Sequence, residues 1–569
     1  MPVKPGVGLH DRHDRHRPRK QTGALQRLHA RARQTCADNA VGGGEAVVPA
    51  FREGYVKFKT CRVRCLLYST VIGEMCDLEA SMSRHRSAIE IRSGLKHPII
   101  DADGHWVEYA PVFSERMRKV AGDKAADGFL ATQRRISDAL SASVAERKQR
   151  GVAMEGYWTR QSTNTRDRAT AMMPRMLYDR LDEIGIDFGI IYPTAGLSIP
   201  RIADGETRRA VARGFNIVTA EYFAKLSDRL TPAAVIPMHT PQEAIDELEY
   251  ATKQLGAKVG MFGGSFPRQV PAAEGIDPAL ARFTVTYEML GLDSNHDYDA
   301  VWQKCRELGV APTFHAGGRG FGLRNSPSNF TFNHIGHFAS AGHALAKALF
   351  LGGVTRRFPD LRFAFLEGGV GWGCQLFADL IEHWERRGRE GLAYMDPKKL
   401  DRSLLKSLVD QYGYDDIAAE LARRDGWPSR EEDELTGGLP VLDDYAACDI
   451  SRKEDWIELF ARPYYFGCEA DDRMNVTAFG RANPFGARLN AIFSSDIGHF
   501  DVPDMLNPVP QAYEMVEDGL ISLDDFRDFT FGNAVRLWGT QNPRFFEGTV
   551  VAEAAAAMLN VAPARAAAE

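Results

Sequence analysis

Acidic and imidazole side chains follow four short apolar runs of this 569-residue chain. Asp103 and His105 end the run PIIDADGH, and His315 ends the run APTFH. Glu367 follows the run FAFL, and Asp496 follows the run NAIFSS. Imidazole nitrogens and carboxylate oxygens are ligands for divalent zinc, manganese and iron. If the four runs are strands that end at one edge, these five residues predict a metal site.

A barrel of alternating strands and helices would bring the five residues together, because the carboxyl ends of its parallel strands meet at one rim. Strand-like apolar runs recur eight times after residue 97, with amphipathic helical patterns between several of them. We predict strands at 98–103, 186–192, 233–238, 257–262, 311–315, 362–367, 462–467 and 490–495, and helices at 206–228, 241–255 and 298–308. The sequence therefore predicts an α/β fold, a TIM-like (β/α)8 barrel with helical insertions.

The composition of the chain changes outside this region. Residues 1–95 are basic, rich in Arg and His, and lack a sustained apolar period, which predicts a disordered N-terminal extension. A start codon further downstream, near Met75 or Met82, is an alternative explanation for this segment. The barrel is expected at 96–548, with insertions at 106–185 and 386–461, and an Ala-rich C-terminal tail at 549–569. Long insertions on a barrel rim often form lids or subunit contacts.

Overall composition excludes several classes of protein. The chain is 44% hydrophobic and 26% charged, without an apolar run of about 18 residues, so we expect a soluble protein with no membrane partner. A net charge of −6 argues against a nucleic-acid partner. The eight cysteines are scattered, which favours reduced thiols and a cytoplasmic location. Neither a phosphate-binding GxxxxGK[ST] loop nor a GxSxG nucleophile elbow is present.

Five sequence motifs occur along the chain in the order in which a known family has them. The segments DADGHWVE, TFHAGG, FPDLRFAFLEGGVGW, SSDIGHFDVP and FGNAVRLWG resemble the amidohydrolase-related family, the branch that includes aminocarboxymuconate semialdehyde decarboxylase. The resemblance covers roughly residues 97–545 and implies metal ligands on strands one, five, six and eight. Asp103 stands where the best-known pattern has its first histidine, and Glu367 stands at its strand-six histidine. The resemblance includes members with both replacements, and it implies a homodimer or larger oligomer.

The predicted ligand set determines the expected chemistry. Two histidines and three carboxylates favour zinc, manganese or iron over copper. A mononuclear centre is expected, or a binuclear one if the Glu367 carboxylate bridges two ions. A bound divalent cation can activate water for hydrolysis or stabilise charge as carbon dioxide leaves a substrate. We predict Asp496, His315 and His499 as catalytic residues, with a second-shell hydrogen bond as the alternative role of His499.

Further residues near the motifs are candidates for extra ligands or substrate contacts. Residues 334 and 337 are three apart and would share a face if one helix carried both, and we prefer His337 and His343 as additional ligands. Trp372 could line the pocket, and Arg319 and Arg324 could bind a substrate carboxylate. Structural histidines, a packed tryptophan and surface arginines are the alternatives.

The leading hypothesis is a metal-dependent enzyme that hydrolyses or nonoxidatively decarboxylates a small carboxylate-bearing molecule. A binuclear iron or manganese enzyme that activates oxygen, or a thioesterase, is a second hypothesis on the same fold. An inactive partner subunit of a related enzyme is a third. The residues alone do not separate these reactions.

Overall fold

The computed structural model describes residues 86–154, 156, 163–263, 266–276, 284–315, 324–428 and 443–560. The chain divides into two units, Met1–Arg84 and His85–Glu569. The first unit lies outside the described residues, and so does the disordered extension that the sequence predicts there, up to residue 85.

Eight parallel strands form one sheet in which each strand pairs with the next along the chain. They are β1 (Ile100–Trp106), β2 (Phe188–Pro193), β3 (Leu230–Ile236), β4 (Val259–Gly263), β5 (Pro312–His315), β6 (Phe363–Phe365), β7 (Tyr464–Glu469) and β8 (Asn490–Ser494). The segment after β8 returns to β1, where Asp496 N donates to Asp103 O at 3.0 Å and His105 N donates to Ile497 O at 2.8 Å. The predicted (β/α)8 barrel is confirmed, and the strand ends differ from the predicted ones by at most three residues.

Helices surround the sheet, and further helices form the insertions between the strands. The α-helices described are Ala88–Gly94, Ala110–Ser141, Val144–Arg150, Thr165–Met172, Pro174–Ile184, Gly205–Phe223, Pro241–Leu255, Pro271–Glu274, Asp299–Leu308, Phe330–His334, His337–Leu351, Val354–Arg357, Gly371–Arg387, Arg389–Leu392, Arg402–Tyr412, Asp415–Arg423, Lys453–Trp456, Pro508–Glu517, Leu523–Arg527, Asn533–Gly539 and Ala552–Leu559. A short antiparallel pair, Pro267–Gln269 with Val285–Tyr287, lies outside the barrel sheet. Within the described residues, no helix is both long and apolar enough to cross a membrane.

Local sequence explains where the predicted helices begin and end. The Thr240 hydroxyl accepts from Glu243 N at 3.2 Å and caps Pro241–Leu255, which ends at the left-handed Gly256. This helix has the predicted bounds of 241–255. The helix predicted at 206–228 ends earlier, at Phe223, and Phe223 is buried in the core.

The folded unit extends beyond the predicted bounds of 96–548 on both sides. Ser87 and Glu90 form a capping box at the start of Ala88–Gly94, and Ile91 is buried. Arg92 of the same helix pairs with Asp187, beside the start of β2. At the other end, Ala555 is buried within helix Ala552–Leu559. A helix with one apolar face needs only two or three buried residues to dock, a pattern too short to stand out in these segments.

Candidate metal centre

All five predicted ligands lie at the carboxyl-terminal rim of the barrel. Asp103 and His105 are on β1, and His315 is the last residue of β5. Glu367 follows β6 by two residues, and Asp496 follows β8 by two residues. All five side chains are buried. Four separate strand ends therefore converge on one point, as the barrel geometry requires.

The donor atoms are spaced as neighbours around a single ion. His105 Nε2 lies 3.0 Å from His315 Nε2, and Asp103 Oδ1 lies 3.4 Å and 3.5 Å from these two nitrogens. Glu367 Oε2 is 3.3 Å from His315 Nε2, and Asp496 Oδ1 is 3.5 Å from His105 Nε2. Metal–ligand bonds of about 2.1 Å place adjacent donors roughly 3.0 to 3.4 Å apart in octahedral or tetrahedral geometry. The observed distances fit a divalent cation.

The carboxylates of this cluster lack the partners that burial normally demands. Both carboxylate oxygens of Asp103 and both of Glu367 are buried without a hydrogen bond from any described residue. An uncompensated buried carboxylate costs several kcal/mol. A cation between the donors would compensate it, so the residues present fit a bound metal.

Burial also sets the protonation of the donors. It raises the pKa of Asp103 to about 6, although the nearby His315 opposes the change. Burial, together with neighbouring carboxylates, raises the pKa values of Glu367 and Asp496 well above the ordinary range. Burial lowers the pKa of both His105 and His315 to about 3. The imidazoles are therefore neutral at pH 7, the form in which histidine binds metals.

The two predicted carboxylate ligands that follow β6 and β8 have unusual backbone conformations. Glu367 has φ 59° and Asp496 has φ 51°, both in the left-handed region. A residue other than glycine costs roughly 1–2 kcal/mol there. Such strain concentrates at functional sites, where the surrounding structure enforces it. The left-handed turn directs both carboxylates into the cluster rather than along the strand.

Asp101 is a buried residue of β1 that the sequence analysis did not predict, and its carboxylate holds the backbone of the site in place. Its carboxylate accepts from Asp103 N at 3.2 Å, from Ser495 N at 2.9 Å and from Ser495 Oγ at 2.6 Å. These bonds tie β1 to the residue that precedes Asp496. Burial raises the pKa of Asp101 to about 7. Asp101 could have been found from its spacing, because it lies two residues before Asp103 and alternate residues of a strand share a face.

His499, a predicted catalytic residue, lies beside Asp496. His499 Nδ1 lies 2.7 Å from Asp496 Oδ1, and His499 Nε2 lies 3.1 Å from the Thr194 hydroxyl. Its ring stacks on that of His105, with centroids 3.8 Å apart. The donor atoms of His499, His105, Glu367 and Asp496 all lie within 4.8 Å of one another.

The structure does not bring the other predicted contact residues into the donor cluster. Trp372 packs against Phe365 and Phe466, with centroids 5.8 Å and 5.1 Å away, and its other ring contact is with His343. Arg324 Nε donates to the carbonyl of residue 335 at 3.1 Å. Arg319 lies outside the described residues.

The prediction that residues 334 and 337 share one helical face is wrong. Helix Phe330–His334 ends before Gly336, and a new helix begins at His337. Gly336 has a φ of 69°, in the left-handed region, so the two helices are not continuous. A donor atom of His334 lies within 4.8 Å of donor atoms of Glu367, a predicted ligand, and Asp501.

Asp501 and Glu469 are further carboxyls at this rim that the sequence analysis missed. Asp501 follows Asp496 by five residues in SSDIGHFD, and Glu469 is the last residue of β7. Burial, together with the charge of Asp501, raises the pKa of Glu469 to about 8. Glu469 could have been found from its position, because it lies two residues beyond the predicted strand 462–467 and so near the rim.

Among the solved structures similar to this chain are three decarboxylases. The 2,6-dihydroxybenzoate decarboxylase from Rhizobium is 15% identical, with a TM-score of 0.42 over 78% of this chain and 98% of that chain. The dihydroxybenzoic acid decarboxylase from a Polaromonas species, solved with bound manganese, is 14% identical, with a TM-score of 0.46 over 79% and 99%. The 5-carboxyvanillate decarboxylase from Sphingomonas paucimobilis is 15% identical, with a TM-score of 0.41 over 78% and 98%. No curated protein matches the chain.

The family model described as Amidohydrolase matches residues 100–417, more than half of the chain. The matched region contains four of the five predicted ligands, and Asp496 joins them in space from beyond it. The resemblance seen in the sequence motifs is thereby confirmed. The chain belongs to the amidohydrolase family.

Proposed function

We propose that this protein is a metal-dependent carboxy-lyase that removes carbon dioxide from a small organic acid without oxidation. The observation that carries the proposal is the buried cluster of imidazole and carboxylate donors at the barrel rim, in which His499 Nδ1 lies 2.7 Å from Asp496 Oδ1. A carboxyl or imidazole group beside such a cluster can serve as a general acid. Decarboxylation needs such an acid, because the carbon that loses carbon dioxide must gain a proton.

Asp103, His105, His315 and Asp496 are the residues that would hold the cation, with Glu367 beside His315. The carboxylate-rich set favours manganese, iron or zinc. When bound, a divalent cation supplies positive charge that stabilises the electrons left on the substrate as its carbon–carbon bond breaks.

The proton movement is carried by residues of the chain. When it carries a proton, the Asp496–His499 pair would give that proton to the carbon atom that keeps the bonding electron pair, and carbon dioxide leaves. His499 Nδ1 lies 2.7 Å from Asp496 Oδ1 and the Thr194 hydroxyl lies 3.1 Å from the other His499 nitrogen, so a proton can return along this path. All three side chains meet at the rim, where His499 and Asp496 are 1% exposed. Exclusion of water strengthens the electrostatic contacts that the reaction needs.

Hydrolysis is the second candidate, and the state of His499 favours it. Burial lowers the pKa of His499 well below its usual value, so the imidazole is neutral. A neutral His499 beside an ionised Asp496 would act with it as a general base that takes a proton from water. The two reactions thus differ in whether the Asp496–His499 pair carries a proton when substrate arrives.

The test is turnover of metal-stripped protein reloaded separately with manganese, zinc or iron. One panel contains small aromatic and unsaturated carboxylic acids, and a second contains their esters, amides and lactones. Carbon dioxide release that requires metal, with one deuterium at the vacated carbon when the reaction is run in heavy water, is expected for a carboxy-lyase. Turnover of the second panel alone would reject decarboxylation in favour of hydrolysis.

Two variants separate the role of Asp496 from general damage. Asp496→Asn removes a carboxylate of the donor cluster and the charged partner of His499, and should abolish turnover. Asp246→Asn changes an exposed aspartate of helix Pro241–Leu255 and should leave turnover intact. A fully active Asp496→Asn protein would reject this mechanism for either reaction.

A further inference from the structure

A second group of ligand-type side chains lies against the primary centre on the side of Glu367. The donor atoms of His334, Glu367 and Asp501 are all within 4.8 Å of one another. They come from three different elements: the helix Phe330–His334, the rim after β6 and the rim loop after β8. Three elements that converge on one point with one imidazole and two carboxylates give the donor types that hard and borderline divalent cations use.

Glu367 belongs to both groups. Glu367 Oε2 is 3.3 Å from His315 Nε2 of the primary set, and the same carboxylate lies beside His334 and Asp501. Both of its oxygens are buried and receive no hydrogen bond from a described residue. A carboxylate that bridges two cations offers one oxygen to each, at metal separations of about 3.5–4 Å. The two unpartnered oxygens of Glu367 meet that requirement.

We propose that His334, Glu367 and Asp501 form a second divalent-cation site, which makes the centre binuclear with Glu367 as the bridge. The proposal deepens the proposed function, because it rests on the primary metal centre. The second cation would lie on the Asp501 side of Glu367 and would give the pocket a second positive charge for an anionic substrate group.

The experiment measures manganese directly and does not depend on turnover. The full-length protein is stripped with a chelator, titrated with Mn²⁺ and analysed for bound metal, and electron paramagnetic resonance reports whether bound ions are coupled. We expect two Mn²⁺ per chain in the wild type with an exchange-coupled signal. His334→Ala and Asp501→Asn should each retain one ion per chain with the signal of isolated Mn²⁺. His343→Ala is the matched control, because His343 packs against Trp372 outside both donor groups, and it should retain two.

The outcomes distinguish this inference from the proposed function. One Mn²⁺ per chain in the wild type, unchanged in His334→Ala and Asp501→Asn, overturns the second site and leaves the primary centre standing. No bound Mn²⁺ in a folded wild type overturns both. Loss of both ions from folded His334→Ala and Asp501→Asn proteins would show one shared site and would also overturn the proposal.

Discussion

The carboxyl of Asp101 should make the stability of the metal-free protein depend on pH. Asp101 is fully buried beneath the centre, and burial raises its pKa to about 7. In the unfolded chain an aspartate has a pKa of about 3.9. Between these values the native protein holds a proton that the unfolded chain has released, so the free energy of unfolding falls as the pH rises.

The size of this effect follows from the two pKa values. Each pKa unit corresponds to about 1.4 kcal/mol, so the full loss above pH 7 is about 4 kcal/mol. About 2–3 kcal/mol of it falls between pH 5 and pH 8. Asp101→Asn removes the titrating group but keeps an oxygen that can accept from the backbone N–H groups of Asp103 and Ser495. The variant should therefore lose this share of the pH dependence.

Equilibrium urea unfolding at pH 5 and pH 8, with a chelator present, measures the difference. Burial raises the pKa of Asp103 and of Glu108 as well, to about 6 and about 8, but both titrate in wild type and variant alike. Comparison of the two proteins thus isolates Asp101. Ser495→Ala removes one hydrogen bond and keeps the carboxyl, so it should retain the wild-type pH dependence. Equal pH dependence in wild type and Asp101→Asn would refute the protonated carboxyl.

Three further results are expected. His315→Ala should lose primary-site metal in elemental analysis, whereas His383→Ala, on an outer helix, should bind metal as the wild type does; equal metal content in both would reject the ligand assignment. Mn²⁺ affinity measured by calorimetry should rise from pH 5 to pH 8, because Asp103, with a pKa of about 6, must release its proton to bind; a flat profile would contradict this. His499→Ala should reduce activity or metal affinity by about 10–100-fold and shift the pH–rate profile, while Thr194→Val should cause a smaller change in the same direction; an unaltered pH profile in His499→Ala would remove its positioning role.

Strand order and the primary ligands could be predicted because each signal is local. A parallel strand that is buried on both faces reads as a short apolar run, and the residue after it lies on the rim wherever the strand sits in the barrel. Asp103, His315 and Asp496 could thus be identified without knowledge of any contact between them. The order of the runs along the chain predicted the order of the strands in the sheet, because neighbouring strands of this barrel are also neighbours in sequence.

The residues around the primary ligands could not be ranked in this way, because their positions depend on turns. The choice of His337 assumed one continuous helix, and a left-handed turn at Gly336 separates it from His334. Trp372 follows Glu367 by only five residues, but it already belongs to the helix Gly371–Arg387. That helix places the Trp372 ring against Phe365. The backbone angles of one short turn therefore decide whether the side chain after it faces the site or packs elsewhere.

Closure of the barrel and assembly of the centre use the same backbone bonds. The donation from Asp496 N to Asp103 O joins two ligands across the seam between the first and last strands. Gly498 permits the next contact, because a Cβ there would lie 2.6 Å from the His105 carbonyl oxygen. The seam therefore forms only when β1 and the segment after β8 are in the register that also aligns their side chains. The protein thus sets the ligand positions through its backbone before any cation binds, and the left-handed strain at Asp496 is part of what that register enforces.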